Sequence, residues 1–200
     1  MPALSSSLLI VISGPSGSGK GTLCKMLREA LPELSYSISL TTRPPRGDEQ
    51  NGVEYFFVTK EEFQKRIETG DFLEWAEVYG HYYGTLRSSV ETLLEKGRDV
   101  LLEIDTQGAR RVKQIFPEAV LIFIKPPSLE ELSTRIIKRG TDDAATIDMR
   151  LSCAPDELQA ANYYDYIVDN DIKEQALAEI LAIIEREKSA RRRGQGGMDS

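Results

Sequence analysis

Histidine is almost missing from this chain: His81 is the only one in 200 residues. One imidazole cannot build a poly-His metal centre within a single chain, so the chemistry must run on other groups. Cysteine is nearly as scarce. Cys24 and Cys153 stand far apart in segments that read as helical, which excludes a disulfide framework or a thiolate metal cluster and fits a reducing cytoplasm. Long hydrophobic runs are lacking too. The longest, Leu8 to Ile12, is far too short for a bilayer and no basic residue precedes it, so neither a membrane span nor an export signal is expected. Positive charge is in deficit, with 25 Lys and Arg against 32 Asp and Glu and a formal net charge of -7. The far field therefore repels polyanions, and no general affinity for nucleic acid or an anionic membrane is expected. A polyanionic substrate must meet Lys and Arg concentrated locally.

What is present is enough for one ordinary domain with small inserts: 40% of the residues are hydrophobic, sufficient to bury a core without metals or disulfides. Short apolar runs alternate with longer segments of helical period, the order of a parallel sheet wrapped by helices. The strand-like runs are 8–13, 36–40, 99–104, 119–124 and 166–168, several without the polar alternation of a half-exposed strand. Helices are expected at 20–30, 61–69, 87–96, 107–115, 129–138, 144–161 and 174–188. The fold class is thus a three-layer α/β/α arrangement with a parallel core sheet. Residues 42–85 break the rhythm and read as a small inserted α+β lobe. A second break, Arg139-Gly-Thr-Asp-Asp-Ala-Ala145, reads as a lid. The tail 190–200, with Arg191-Arg192-Arg193 and Gly-Gln-Gly-Gly, lacks apolar periodicity and is expected to fray.

Gly14-Pro15-Ser16-Gly17-Ser18-Gly19-Lys20-Gly21-Thr22 follows an apolar strand and opens a helix, the context that gives a P-loop match its meaning. Glycines let backbone N–H groups converge on phosphate oxygens, and the helix adds its unpaired N–H groups and positive dipole end. Lys20 is expected to reach the β- and γ-phosphates of a nucleoside triphosphate. Gly21 stands where such loops usually carry Ser or Thr, so the hydroxyl is displaced to Thr22. Leu101-Leu-Glu-Ile-Asp105 delivers a carboxylate at a strand end, where open α/β sheets bind ligands.

Ser39-Leu-Thr-Thr-Arg-Pro-Pro-Arg46 sets Arg43 and Arg46 on a proline-stiffened backbone, a pair of forks suited to clamping a phosphate. Asn51-Gly-Val-Glu-Tyr55-Phe-Phe-Val, Phe72-Leu-Glu74-Trp-Ala-Glu, Tyr82-Tyr83-Gly-Thr85 and Glu103-Ile-Asp105-Thr-Gln-Gly108 follow in order. With these motifs the chain resembles the guanylate kinases from about Leu8 to Glu187. The resemblance implies a core of 8–41, 86–138 and 162–189, a GMP-binding lobe of 42–85, a lid of 139–161, ATP as donor and Mg²⁺ as cofactor. It also implies GMP-phosphate contacts at Arg43, Arg46, Tyr55 and Tyr83, and guanine contacts at Ser39, Glu74, Thr85 and Asp105. Arg135, Arg139 and Arg150 match the basic positions that the family sets over the donor phosphates, completing a catalytic set with Lys20 and Arg43. The metal is expected to be held mainly by phosphates and water, with Thr22, Glu103 and Asp105 near its water shell. Guanine chemistry agrees: adjacent N1–H and N2–H₂ donors want a carboxylate, and Glu74 supplies one. The expected reaction is transfer of phosphate from ATP to GMP, and to dGMP, in purine nucleotide metabolism. A homo-oligomer is left open. Two departures stand out: Glu103 where the family typically has Asp, and Val168-Asp169-Asn170 where it commonly reads Val-Asn-Asp.

Overall fold

The computed structural model describes residues 7–138 and 144–196, the last three of these by backbone alone. Arg139 and the first part of the expected lid, 139–143, lie outside the described residues.

Five parallel strands form the core sheet. Their spatial order is β2 (Ser35–Tyr36), β7 (Val100–Glu103), β1 (Leu9–Ser13), β8 (Val120–Lys125) and β9 (Tyr166–Asp169). The central strand β1 is buried throughout, and its side chains alternate between two layers. Leu8, Ile10 and Ile12 face Leu23 and Leu27 of α1 (Lys20–Ala30) and Ala176, Ile180 and Ile184 of α7 (Lys173–Gly196). Leu9 and Val11 face Val90 and Leu94 of α3 (Arg87–Glu95) and Ala109 and Val112 of α4 (Thr106–Ile115). Each such Leu or Ile contributes about 1.5–3 kcal/mol relative to exposure. Covering on both faces is what permits an all-parallel sheet here.

A second sheet has the order β4 (Phe56–Phe57), β3 (Leu40–Thr41), β6 (His81–Leu86) and β5 (Phe72–Val78). Its core is aromatic: Phe63, on α2 (Lys60–Glu68), stacks on Phe72 with ring centres 4.4 Å apart and on Tyr82 at 5.4 Å. Trp75 and Tyr82 pack against the same cluster. The helix starts where Thr59 and Glu62 cap each other's backbone N–H groups. The final helices before the last strand, α5 (Leu129–Lys138) and α6 (Ala144–Gln159), meet through Leu132, Ile136 and Ala154, and α6 runs on into a 3-10 turn at Ala160–Tyr163.

Two expectations need correction. The run 36–40 is not one strand: the Ser37 N–H pairs with Leu101 of the core sheet, whereas the Ser39 carbonyl pairs with Phe56 of the second. The chain thus changes sheets at Ser37–Ser39, and the second sheet takes in Leu40 and Thr41 ahead of residue 42. Nor does the chain fray at Ala190. Helix α7 continues to Gly196, because Arg191 anchors it, donating to the carbonyl of Ser7 and, at 2.6 Å, to that of Glu118. An arginine tail reads as solvated until a partner elsewhere in the chain is known. Among the described residues, no helix is long and apolar enough to cross a membrane.

The anchor is testable. Arg191→Ala loses two hydrogen bonds of about 0.5–1.5 kcal/mol each, a fall of roughly 2–12 °C in thermal midpoint for a domain of this size. Arg193→Ala, at an exposed position, should leave the midpoint unchanged. Calorimetric scans of both variants check the contrast.

Candidate active site

The carboxyl ends of β1, β2 and β7 open on one cavity of about 680 Å³, shared with the second sheet. This is the edge at which open parallel sheets take ligands.

On its donor side lies the turn from Gly14 to Thr22 that joins β1 to α1. Gly19 starts the helix with φ 92, a left-handed conformation, and a Cβ there would meet Asn170 Nδ2 at 2.3 Å. Glycine is required on both counts. Asn170, buried after β9, donates to the Ser18 carbonyl at 2.7 Å and so ties the turn to the last strand. The Ser18 N–H closes the turn on the Pro15 carbonyl at 3.1 Å. Pro15 and Ser18 thereby shape the loop, while Gly14, Ser16, Gly17, Gly19, Lys20, Gly21 and Thr22 line the cavity. No side chain caps α1, which leaves its first N–H groups for an anion. The Lys20 ammonium folds back onto the Gly14 and Pro15 carbonyls at 2.7 and 2.9 Å. Burial pulls its pKa down, opposed by the nearby carboxylates of Glu103 and Glu157.

Across the cavity, Arg43 is 4% exposed and grips Glu49 with both ends of its fork, at 2.8 and 3.1 Å. Its guanidinium lies over the Tyr55 ring, 5.3 Å from the centre, and Tyr55 meets Tyr83 edge-on at 5.8 Å. The Arg46 N–H donates to the same Glu49 at 2.8 Å. Arg43, Arg46, Tyr55 and Tyr83 all line the cavity. Glu49 did not stand out in the sequence, although an acid three residues after a paired arginine is the signal that marks it.

Deeper in the same side is a buried polar chain. Thr85 Oγ1 donates to Glu74 Oε1 at 2.6 Å, and Ser39 Oγ lies 3.3 Å from Thr85 Oγ1. All three are buried, Glu74 at 3% exposure. Burial pushes the Glu74 carboxyl up to about 8, against the Thr85 hydrogen bond, with the charge of Asp105 adding to the rise. Gly108 makes room for it: a Cβ there would lie 2.3 Å from Glu74 Oε2. Asp105 is the N-cap of α4, accepting from Gln107 N at 2.7 Å and Gly108 N at 3.2 Å, and it faces the cavity floor.

The lid-side arginines sit on α5 and α6. Arg135 donates to Glu131 at 2.9 Å and to the Asn170 carbonyl at 3.2 Å; Arg150, 4% exposed, donates to Ser16 Oγ at 2.9 Å. Two residues no motif pointed to join them. Glu157 accepts from Ser16 N at 3.3 Å and from the Tyr79 hydroxyl at 3.2 Å. Tyr79, at the β5–β6 turn, has φ 52, left-handed for a non-glycine residue, at a cost of about 1–2 kcal/mol.

Glu103 accepts from the Tyr36 hydroxyl at 3.4 Å, and its Oε1 lies 3.5 Å from where a Cβ on Gly21 would stand. With exposed Thr22 and with Asp105 it rims the cavity near the start of α1. Among the described residues, no group of three or more His, Cys, Asp or Glu side chains could cage a metal.

Comparisons with known proteins agree with this geometry. The family model for guanylate kinase matches residues 6–187. A guanylate kinase of Caldanaerobacter subterraneus subsp. tengcongensis is 55% identical across 90% of this chain and 88% of its own length. One from Symbiobacterium thermophilum is 49% identical across 94% and 90%. The solved guanylate kinase of Anaplasma phagocytophilum superposes with a TM-score of 0.78 at 35% identity, covering 92% of this chain and 87% of that one. The family model and these relatives, each matched over about nine-tenths of the chain, place it in the guanylate kinase family.

Proposed function

We propose that the chain transfers the γ-phosphoryl group of ATP to GMP, giving ADP and GDP, and that dGMP serves as an acceptor too. The carrying observation is that one cavity holds both the phosphate turn with Lys20 and the arginine clamp backed by the buried Glu74–Thr85–Ser39 chain. The residues assigned to the acceptor read its base and phosphate, not its 2′-hydroxyl, which is why the deoxy form fits. The reading places the enzyme in purine nucleotide metabolism of the cytoplasm.

The acceptor phosphate is already ionised at neutral pH, so no general base is needed. One of its oxygens attacks the γ-phosphorus, the bond from that phosphorus to the β–γ bridging oxygen breaks, and the electron pair leaves with ADP. Charge spreads over the equatorial oxygens on the way. Lys20 exchanges its two carbonyl partners for phosphate oxygens. Arg43 and Arg46 hold the acceptor, and Arg135 and Arg150 approach the transferred group from α5 and α6. Arg139 belongs to the same proposed set. Adenine would set its N1 lone pair against Glu74, whereas guanine offers two N–H donors, and a site built on such pairing rejects the analogue strongly.

The donor set fits Mg²⁺ held by phosphate oxygens and water, with Thr22, Glu103 and Asp105 around it, not by a protein cage. When bound, the metal would neutralise charge on the β- and γ-phosphates.

Purified protein with Mg-ATP, assayed for ADP release against GMP, dGMP, AMP, CMP and UMP, tests the reading; turnover is expected with the first two alone. Glu74→Gln should weaken GMP about 10- to 100-fold and relax discrimination against AMP. The pH dependence carries a sign. Glu74 in the empty site is protonated below about 8, while guanine's donors require the carboxylate. Binding therefore expels a proton at pH 7. The Glu74 contribution to affinity grows up to tenfold per pH unit below about 8 and levels off above it. Calorimetry in two buffers of different ionisation enthalpy should show that proton in the native protein and not in Glu74→Gln. Arg43→Ala strands Glu49 beside the acceptor phosphate and should weaken GMP about 100-fold with ATP little changed. Arg43→Lys should recover part of the loss, since an ammonium cannot make the fork. Titrations with each nucleotide check both.

A further inference from the structure

We infer that Glu157 is a positioning residue whose carboxylate stands in for a donor phosphate on the glycine turn and must leave as ATP enters, an inference that rests on reading Gly14–Thr22 as the donor site. The contact is direct. Glu157 Oε2 accepts from the backbone N–H of Ser16, a group of the turn that lines the cavity. A carboxylate is the protein's nearest equivalent of a phosphate: anionic, with oxygens able to accept from a converging backbone. One N–H cannot serve Glu157 and a phosphate oxygen in full at once, and two anions sharing a half-buried site repel each other.

The surroundings match an anion site already filled. Lys20 lies close enough to favour the charged form of Glu157, against the burial that raises its pKa. Arg150 stands two turns earlier on the same face of α6 and donates to Ser16 Oγ at 2.9 Å. One face of one helix thus brings a cation and an anion to the same residue of the turn. Arrival of a phosphate would keep the first contact and displace the second.

Displacement has a consequence beyond the turn. The other carboxylate oxygen, Oε1, accepts from the hydroxyl of Tyr79, whose ring lies under Arg150 at 5.2 Å. Tyr79 sits at the tip of the β5–β6 hairpin, whose strands carry Glu74, Tyr83 and Thr85, and it is held with φ 52, the one positive φ among the described non-glycine residues. Glu157 therefore bridges the donor turn to the acceptor sheet. Its departure removes the hydrogen bond between the hairpin tip and α6, leaving the Arg150 stack on Tyr79, and this couples donor entry to rearrangement around the acceptor.

The test compares native protein with Glu157→Gln and Tyr79→Phe by calorimetric titration with the imido analogue of ATP, without GMP, and with adenosine. Glu157→Gln keeps the size and loses the charge, and it should bind the analogue about tenfold tighter, the value of a charge-assisted hydrogen bond no longer opposed. Tyr79→Phe removes one anchor of the carboxylate and should gain about two- to threefold. Adenosine, which has no phosphate, should bind all three alike. Analogue affinity equal to or below native in Glu157→Gln, or an equal gain for adenosine, overturns the inference. Failure of native protein to release ADP with GMP, alongside the tenfold gain, would instead sink the acceptor assignment and leave this inference standing.

Discussion

Positive charge taken out of water has to be compensated before any ligand arrives, and this constraint organises the molecule. A charge left unpaired in a buried site costs several kcal/mol, and four cations of the cavity have resident partners. Lys20 rests on two backbone carbonyls, Arg43 on Glu49 and the Pro44 carbonyl, Arg150 on Ser16, and Arg135 on Glu131. These partners keep the empty site folded. They are also what substrates must displace, so each contact that stabilises the ligand-free state subtracts from binding. Affinity in such a site is the difference between two well-satisfied arrangements.

The same constraint explains the path of the backbone. The chain switches sheets at Ser37–Ser39, so the glycine turn and the residues around Arg43 belong to different hydrogen-bonded sheets. The core strand β2 ends pairing with β7, and four residues later Leu40 belongs to the second sheet. Leu73 of the second sheet packs into the core cluster, and side-chain contacts add further ties: Arg111 to the Trp75 carbonyl, and Tyr79 to Glu157. Contacts of this kind break and re-form at modest cost, unlike a continuous sheet.

Much of this was legible in the sequence because local physics dictated it. Glycines at the turn from Gly14 to Thr22 and apolar runs of strand length each act over a few residues, and the core sheet and its helices follow from them. What escaped depends on partners distant in sequence. Arg191 looks like a solvated tail until Ser7 and Glu118 appear beside it. The strand expected at 36–40 looks continuous because nothing local records that Ser37 and Ser39 pair with different sheets. Glu157 lies beyond a proline on a helix with little apolar patterning, and its significance comes from Ser16, far earlier in the chain. Tyr79 carries its signal in a backbone angle, which no residue type discloses. Asn170 belongs to the stretch whose order departs from the family's common Val-Asn-Asp. Its side chain nonetheless braces the turn at Ser18, so the departure leaves a polar contact in place.

An acidic protein that handles two polyanions looks like a contradiction on net charge alone. It is resolved by where the acids sit. Glu49, Glu103, Glu157 and Asp105 are not scattered over the surface but stand around the cavity among its cations. Their field, summed with that of Lys20 and the arginines, leaves the site well below the potential that the cations alone would create, and bulk phosphate is held less strongly as a result. A substrate that brings base recognition as well as phosphate can displace these acids, whereas a simple anion lacks the extra contacts to do so. Negative charge around the arginines thus acts against the wrong anion as much as it stabilises the empty fold, and selectivity for a nucleotide begins before the base is read.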